Sequence, residues 1–302
     1  MKLGTFKSET GVFIGLVNEE GNQILPLVKA SERMNGEFRF PDSLMDGIIL
    51  GDQFHKEADK VAAWVKENHL EDQLFVPLSS VTPLAPIPKP AKNIFCVGKN
   101  YADHAIEMGS KDDIPENVMV FTKAPTSVIG YGAGIMEHKE LTDQLDYEGE
   151  LAVVMGKRGR GIKREEALDF IFGYTIINDV TARDLQARHK QFFIGKSLDT
   201  TCPMGPWIVH KSAIGNPNSL NIQTKVNGEV RQESNTENFI FPIEEIIAVL
   251  SQGMTLEPGD IIATGTPAGV GKGFKPPRFL KAGDTIEITI EQIGTLRNTI
   301  ES

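Results

Sequence analysis

Glu148 and Glu150 flank Gly149 at the head of the apolar run Leu151–Val154. In an extended chain, residues two apart point to the same face, so the two carboxylates project side by side and Gly149 leaves the opposite face without bulk. Like charges at that spacing repel unless a cation sits between them, and a hard divalent ion such as Mg2+ or Mn2+ suits clustered carboxylates. The competing reading is an exposed strand face with two solvated glutamates. Asp179 closes a second apolar run, Tyr174–Val180. There it can point into a cleft at the rim of a sheet, or act as N-cap of a helix over Thr181–His189. That helix carries Arg183, whose planar fork suits a substrate carboxylate, Gln186, suited to fixing orientation, and Arg188, directed to solvent or a nearby acid.

His104 and Glu107 are three residues apart and become neighbours if the segment is helical, with Asp103 as a candidate cap. A carboxylate beside an imidazole holds its tautomer and raises its basicity, so the pair can take a proton from water near neutral pH; the other reading is a surface ion pair. Lys196 follows the aromatic-apolar run Phe192–Ile194 and Gly195. It either points inward, to stabilise an enolate or bind a carboxylate, or snorkels to the surface. Thr264–Gly271 follows a strand over Ile261–Ala263; its glycines let backbone N–H groups approach an anion, and Thr266 adds a hydroxyl. It is not a phosphate loop, because Thr266 stands at the required first glycine and Gly273 replaces the Ser/Thr; nor is it a dinucleotide fingerprint, because Phe274 takes the last glycine.

Short β-rich segments position these groups. Strands are expected over Phe13–Val17, Gln23–Leu27, Ile94–Val97, Leu151–Val154, Gly173–Ile177, Trp207–His210, Gln223–Val226, Ile261–Ala263 and Thr285–Ile290. Turns are expected at Asn18–Asn22 and Asn227–Gly228, and helices over Leu44–Leu50, Phe54–Val65 and Pro242–Leu250. Strands outnumber helices and do not alternate with them, which gives a β-rich α+β class. Five prolines between Val76 and Lys92 favour an extended connector and divide the chain into a small α/β N-terminal domain (1–75), a linker (76–92) and a larger domain (93–302). No chemical constellation stands in the first domain, which reads as a packing or dimerisation unit.

The 302 residues are 40% hydrophobic, enough for a sizeable core, and their net charge of −10 opposes nucleic acid and anionic membranes. An anionic substrate therefore needs a local cationic pocket or a metal. Cys96 and Cys202 make no disulfide framework and suit a reducing cytoplasm. No segment nears the ~20 apolar residues of a membrane helix, and Met1–Val17 lacks the pattern of a signal peptide.

Taken together and in order, Gly98–His104, Asp146–Glu150, Asn178–Gln186, Gly195–Asp199 and Thr264–Gly271 resemble the fumarylacetoacetate hydrolase family, nearest its acylpyruvase and oxaloacetate decarboxylase branch, over about Lys92 to the C-terminus. The resemblance implies a mixed β-roll, a homodimer, and cleavage of a carbon–carbon bond in a small 2-oxo acid through an enolate stabilised by Mg2+ or Mn2+. It assigns Glu148, Glu150 and Asp179 to the metal, His104 and Glu107 to a water-activating dyad, Lys196 to the enolate charge, and Arg183, Gln186 and Thr266 to substrate oxygens. It also admits an isomerase or decarboxylase of 2-hydroxymuconate-type diacids. A scaffolding protein that keeps the fold is the remaining alternative, suggested by the N-terminal domain.

Overall fold

The structure is a computed structural model that describes all 302 residues. Its first part comprises β1 (Lys2–Ser8), β2 (Gly11–Val17), β3 (Gln23–Pro26), α1 (Leu27–Met34), α2 (Leu44–Leu50), α3 (Asp52–Glu67), α4 (Glu71–Leu74), β4 (Val76–Pro77) and β5 (Thr82–Pro83). There follow β6 (Ile94–Gly98), α5 (Ala102–Met108), β7 (Met119–Lys123), β8 (Val128–Ile129), β9 (Gly134–Met136), β10 (Leu145–Asp146), β11 (Gly149–Met155), β12 (Ile171–Asn178) and β13 (Thr181–Ala182). The remainder is α6 (Arg183–His189), α7 (Phe193–Lys196), β14 (Cys202–His210), β15 (Asn221–Val226), β16 (Glu229–Asn235), α8 (Ile243–Ser251), β17 (Ile261–Ala263), β18 (Thr285–Ile290) and β19 (Gly294–Glu301).

The long sheet runs β4-β3-β2-β1-β14-β12-β11-β17-β6-β7, and a five-stranded sheet runs β16-β15-β18-β19-β9. Every neighbour in the path from β14 to β17 is antiparallel, while β17 lies parallel to β6. The two sheets share one core: Leu151 and Val153 of β11 pack in the same cluster as Ile222 of β15 and Ile288 of β18. The alternate residues Ala152 and Val154 face a second cluster with Phe54, Ala58 and Val61 of α3. Burial on both faces explains why β11 and β12 read as unbroken apolar runs rather than as alternating patterns. This is the β-rich α+β class expected from the segment pattern.

The first part of the chain joins the same sheet, for Lys2 and Leu3 of β1 pair with Val209 and Ile208 of β14. Between Val76 and Lys92 the chain pairs only two residues at a time, in β4 and β5, and buries Ala85 and Ile87. Two local expectations and one alternative reading need correction. The helix expected from Thr181 begins at Arg183, because Thr181 and Ala182 pair with Asp146 and Leu145 instead. Asp179 caps nothing; its carboxylate is drawn inward by lysines. Asp103 lies inside the first turn of α5 and makes no cap bond. Strands β1, β7, β16 and β19 and helix α1 had no counterpart among the expected elements.

Candidate active site

Register between β11 and β12 assembles the carboxylates. Gly149 lies opposite Asn178 and Glu150 opposite Ile177, so the residues just outside the ladder, Glu148 and Asp179, meet at its end. Asp179 N–H donates to the Glu148 carbonyl at 2.9 Å, and Glu148 N–H donates to Asn178 Oδ1 at 3.0 Å. Glu148, Glu150 and Asp179 are all buried, and their ligand oxygens lie within 4.8 Å of one another. Gly149 is required by close packing: a Cβ there would lie 2.3 Å from Thr224 Oγ1.

Three cations meet these acids. Lys196 Nζ lies 2.7 Å from Glu148 Oε2 and 2.8 Å from Asp179 Oδ2. Arg183 Nη1 lies 2.7 Å from Glu148 Oε1, and Nε donates to Asp146 Oδ2 at 2.8 Å. Lys123 Nζ lies 2.8 Å from Asp179 Oδ1. Burial works to raise the Glu148 pKa, but Lys196 and Arg183 hold it well below the usual carboxylate range. Glu150 moves the other way: burial, then the charges of Asp179 and Glu148, push it well above that range, with one N–H, from Gly265 at 2.8 Å, as compensation. Gly265 reaches it with a φ of 103°, a conformation open to glycine and rare for other residues. Counting Asp146, four carboxyl groups face three fixed cations, and a bound dication would offset the like charge that pushes Glu150 up. The donor set is all oxygen and anionic, the chemistry of Mg2+ or Mn2+, so the residues present fit a divalent ion.

Around this cluster lies a cleft of about 420 Å³ lined by His104, Glu148, Glu150, Arg183, Gln186, Lys196 and Thr266, together with Lys99, Lys190 and Lys272. His104 Nδ1 is 3.4 Å from Glu107 Oε2, and the Glu107 carboxylate accepts from Gly269 N–H at 2.9 and 3.1 Å. The loop after β17 thus anchors the glutamate that orients the imidazole. Arg183 Nη2 is buried and has no partner in the chain. Gln186 Oε1 lies 3.4 Å from Arg183 Nη1. The Thr266 hydroxyl donates to the Gly149 carbonyl at 3.0 Å and accepts from Gln232 Nε2 at 2.7 Å, so its hydrogen already supports the strand bearing Glu150. Lys196 is buried rather than snorkelling, and Arg188 is exposed.

All nine residues expected at a site are therefore within or against one cleft. Sequence reading passed over three others. Asp146, quoted only as part of a motif, accepts from Arg183, from Gly271 N–H at 2.7 Å and from Lys272 N–H at 3.0 Å, pinning the glycine-rich loop to the site. Gln232 ties Gly149 to Thr266. Lys123 ends a five-residue strand whose alternation, Met119–Phe121–Lys123, was the available signal.

Residues 93–301 match the family model described as Fumarylacetoacetate (FAA) hydrolase C-terminal. The chain is 57% identical over 301 residues to oxaloacetate tautomerase YisK of Bacillus subtilis, covering 99% of this chain and 100% of that protein. Among solved structures, a fumarylacetoacetate hydrolase from Exiguobacterium antarcticum matches with 41% identity and a TM-score of 0.83, covering 100% of this chain and 99% of that one. A 5-carboxymethyl-2-hydroxymuconate delta-isomerase from Mycobacterium smegmatis matches with 34% identity and a TM-score of 0.73, covering 100% and 98%. No helix of the chain is long and apolar enough to cross a membrane. The chain belongs to the fumarylacetoacetate hydrolase family of enzymes.

Proposed function

We propose that this enzyme interconverts the keto and enol forms of a small 2-oxo diacid of the oxaloacetate type. The observation that carries the reading is a cationic cleft, with Arg183, Lys190, Lys196 and Lys272 at its wall, built around three buried carboxylates in a chain of net charge −10. Its relative at 57% identity is named for oxaloacetate tautomerisation, and a solved neighbour for isomerisation of a hydroxymuconate. A Mg2+ or Mn2+ ion held by Glu148, Glu150 and Asp179 would supply Lewis-acid polarisation of the 2-oxo group.

The residues of the chain do the rest. Arg183, fixed by Asp146 and Glu148, has Nη2 available for a substrate carboxylate, and Gln186 beside it holds a second oxygen. His104, with Nδ1 turned to Glu107, presents Nε2 as the base that moves a proton at C3. Two of the three Lys196 N–H donors are committed to Glu148 and Asp179; in this reading the ammonium stabilises the negative charge that develops on the 2-oxygen. In this reading the enzyme is a cytoplasmic homodimer, which sedimentation and cell fractionation test.

Carbon–carbon cleavage, by acylpyruvate hydrolysis or oxaloacetate decarboxylation, is a second reading. It is favoured by the His104–Glu107 pair, which can deprotonate water as readily as a carbon acid. One experiment separates the two. Enol oxaloacetate is mixed with the enzyme and Mn2+, its ultraviolet decay is followed, and pyruvate is assayed in parallel. Faster decay without pyruvate is expected. Pyruvate formed at the same rate, from oxaloacetate or acetylpyruvate, makes cleavage the main activity. Neither response in a folded, Mn2+-loaded protein overturns both and favours scaffolding.

A further inference from the structure

Lys123 ends β7 with none of its surface exposed. Strand alternation puts Phe121 and Lys123 on one face, and both reach the acidic cluster from the same side. The Phe121 ring centroid lies 4.8 Å from Lys196 Nζ, and Lys123 Nζ lies 2.8 Å from Asp179 Oδ1. The Lys123 ammonium also donates to the Val180 carbonyl at 3.0 Å and to the Lys196 carbonyl. Two of its three N–H donors go to these carbonyls, and its charge, rather than a hydrogen bond, meets Asp179 Oδ1, which accepts none in the chain. Lys123 does not line the cleft, so it is not placed to touch a substrate.

These contacts join three separate parts of the site: the Asp179 carboxylate, the peptide that follows it, and the turn that carries Lys196. They also divide the two oxygens of Asp179, with Oδ1 to Lys123 and Oδ2 to Lys196. Burying a charge is unfavourable even when it is paired, and an apolar side chain of similar volume often serves packing as well or better. Packing alone therefore gives no reason for an ammonium here. Without it, Asp179 is free to turn and to share both oxygens with Lys196, and the geometry of the three acids is no longer held.

We propose that Lys123 is a positioning residue that locks Asp179 and Lys196 relative to one another and thereby sets the affinity of the carboxylate cluster for a divalent cation. This rests on the reading of Glu148, Glu150 and Asp179 as metal ligands. Mn2+ binding by the full chain is measured by paramagnetic resonance of the free ion for wild type, Lys123→Met and Lys123→Ala, with folding checked by circular dichroism. The Kd for Mn2+ is expected to rise about tenfold or more in Lys123→Met, as for loss of an outer support to a metal ligand. Propylammonium added to Lys123→Ala, which leaves a cavity of matching shape, is expected to recover much of the affinity. If Lys123→Met does not fold, Lys123→Gln, which keeps a donor and removes the charge, carries the same comparison. A lower Tm with wild-type Mn2+ affinity, and no response to amine, would overturn the proposal. Oxaloacetate turnover is not the readout. A chain that binds Mn2+ in a Lys123-dependent way yet leaves oxaloacetate untouched sinks the tautomerase reading and leaves this inference standing.

Discussion

Lys196 Nζ lies 2.7 Å from Glu148 Oε2, and this buried contact lets the acidic cluster hold together. Burial disfavours the charged form of both partners, yet each is held charged by the other's neighbourhood. Glu148 is pulled down by Lys196 and Arg183, and Lys196, despite its burial, is pushed up by Asp179 and Glu148. Replacing it by methionine keeps the volume and leaves two carboxylates facing each other. Removing one partner of a buried pair costs about 3–5 kcal/mol. Urea unfolding of Lys196→Met without divalent cation should show that loss, and Mn2+ should restore part of it. A midpoint equal to wild type would mean the contact contributes nothing.

Glu150 gives a pH signature of opposite sign. Its folded pKa lies well above its unfolded value because burial, Asp179 and Glu148 all oppose its charge. Above the unfolded pKa the folded state holds a proton the unfolded chain has released, so stability falls as pH rises until the folded pKa is passed. The metal-free protein should therefore melt at a lower temperature as pH climbs above the ordinary carboxylate range, and Mn2+ should flatten the trend. Glu150→Gln, which mimics the neutral acid, should remove the slope and weaken Mn2+ binding by more than about tenfold. A slope unchanged in the variant assigns it to another group.

The dyad predicts a division between chemical step and binding. Nδ1 of His104 lies 3.4 Å from Glu107, whose carboxylate is held by the Gly269 N–H. His104→Ala should lower kcat by about 10²–10⁴ and leave Mn2+ affinity intact, since the imidazole is not among the three clustered acids. Glu107→Gln should lower kcat less, because the imidazole is still present but no longer oriented by a carboxylate. Stopped-flow decay of enol oxaloacetate supplies both numbers. If both variants turn over as wild type does, the proton is moved by another group.

Far from the cleft, His210 should govern acid stability. Its ring stacks 3.8 Å from that of His55 on α3, so β14 meets the first part of the chain at this point. Burial first, then the nearby His55, lowers its pKa from 6.5 to about 3. The folded state then lacks a proton that the unfolded chain gains below 6.5, so this stability is complete above pH 6.5 and is lost as pH falls towards about 3. His210→Asn should melt lower at neutral pH, from lost packing, and show a shallower decline between pH about 7 and about 5. An equally steep decline would place the sensitivity elsewhere.

How much of this was legible beforehand differs by kind of signal. The strand over Ile261–Ala263 and the helix over Leu44–Leu50 were readable to the residue, because local pattern and turn residues carry them. The left-handed φ of 52° and 79° at Asn227 and Gly228 is the hairpin their side chains announce. Glu148, Glu150, Asp179, His104, Glu107, Lys196, Arg183, Gln186 and Thr266 could be named as candidates from their local motifs, each with a bland alternative, and only the resemblance of those motifs in order to the family gave them roles. Lys123 was missed: alternation with Met119 and Phe121 marks its face, but a lysine at the end of Met119–Lys123 looks like an ordinary solvated strand end, and only pairing with β6 and contact with Asp179 bury it.

The order of amino acids determined which groups are present and which local shapes carry them, since propensity and alternation act over a few residues. It did not determine that Arg183 would be tied to Asp146 and Glu148, leaving Nη2 without a partner, or that the Thr266 hydroxyl would support Gly149 rather than point free. Those outcomes depend on distances between residues tens to more than a hundred positions apart. Only the pairing of β11 with β12 on one side and β17 on the other brings them within hydrogen-bond range, and there burial turns ordinary side chains into a tightly packed charged cluster.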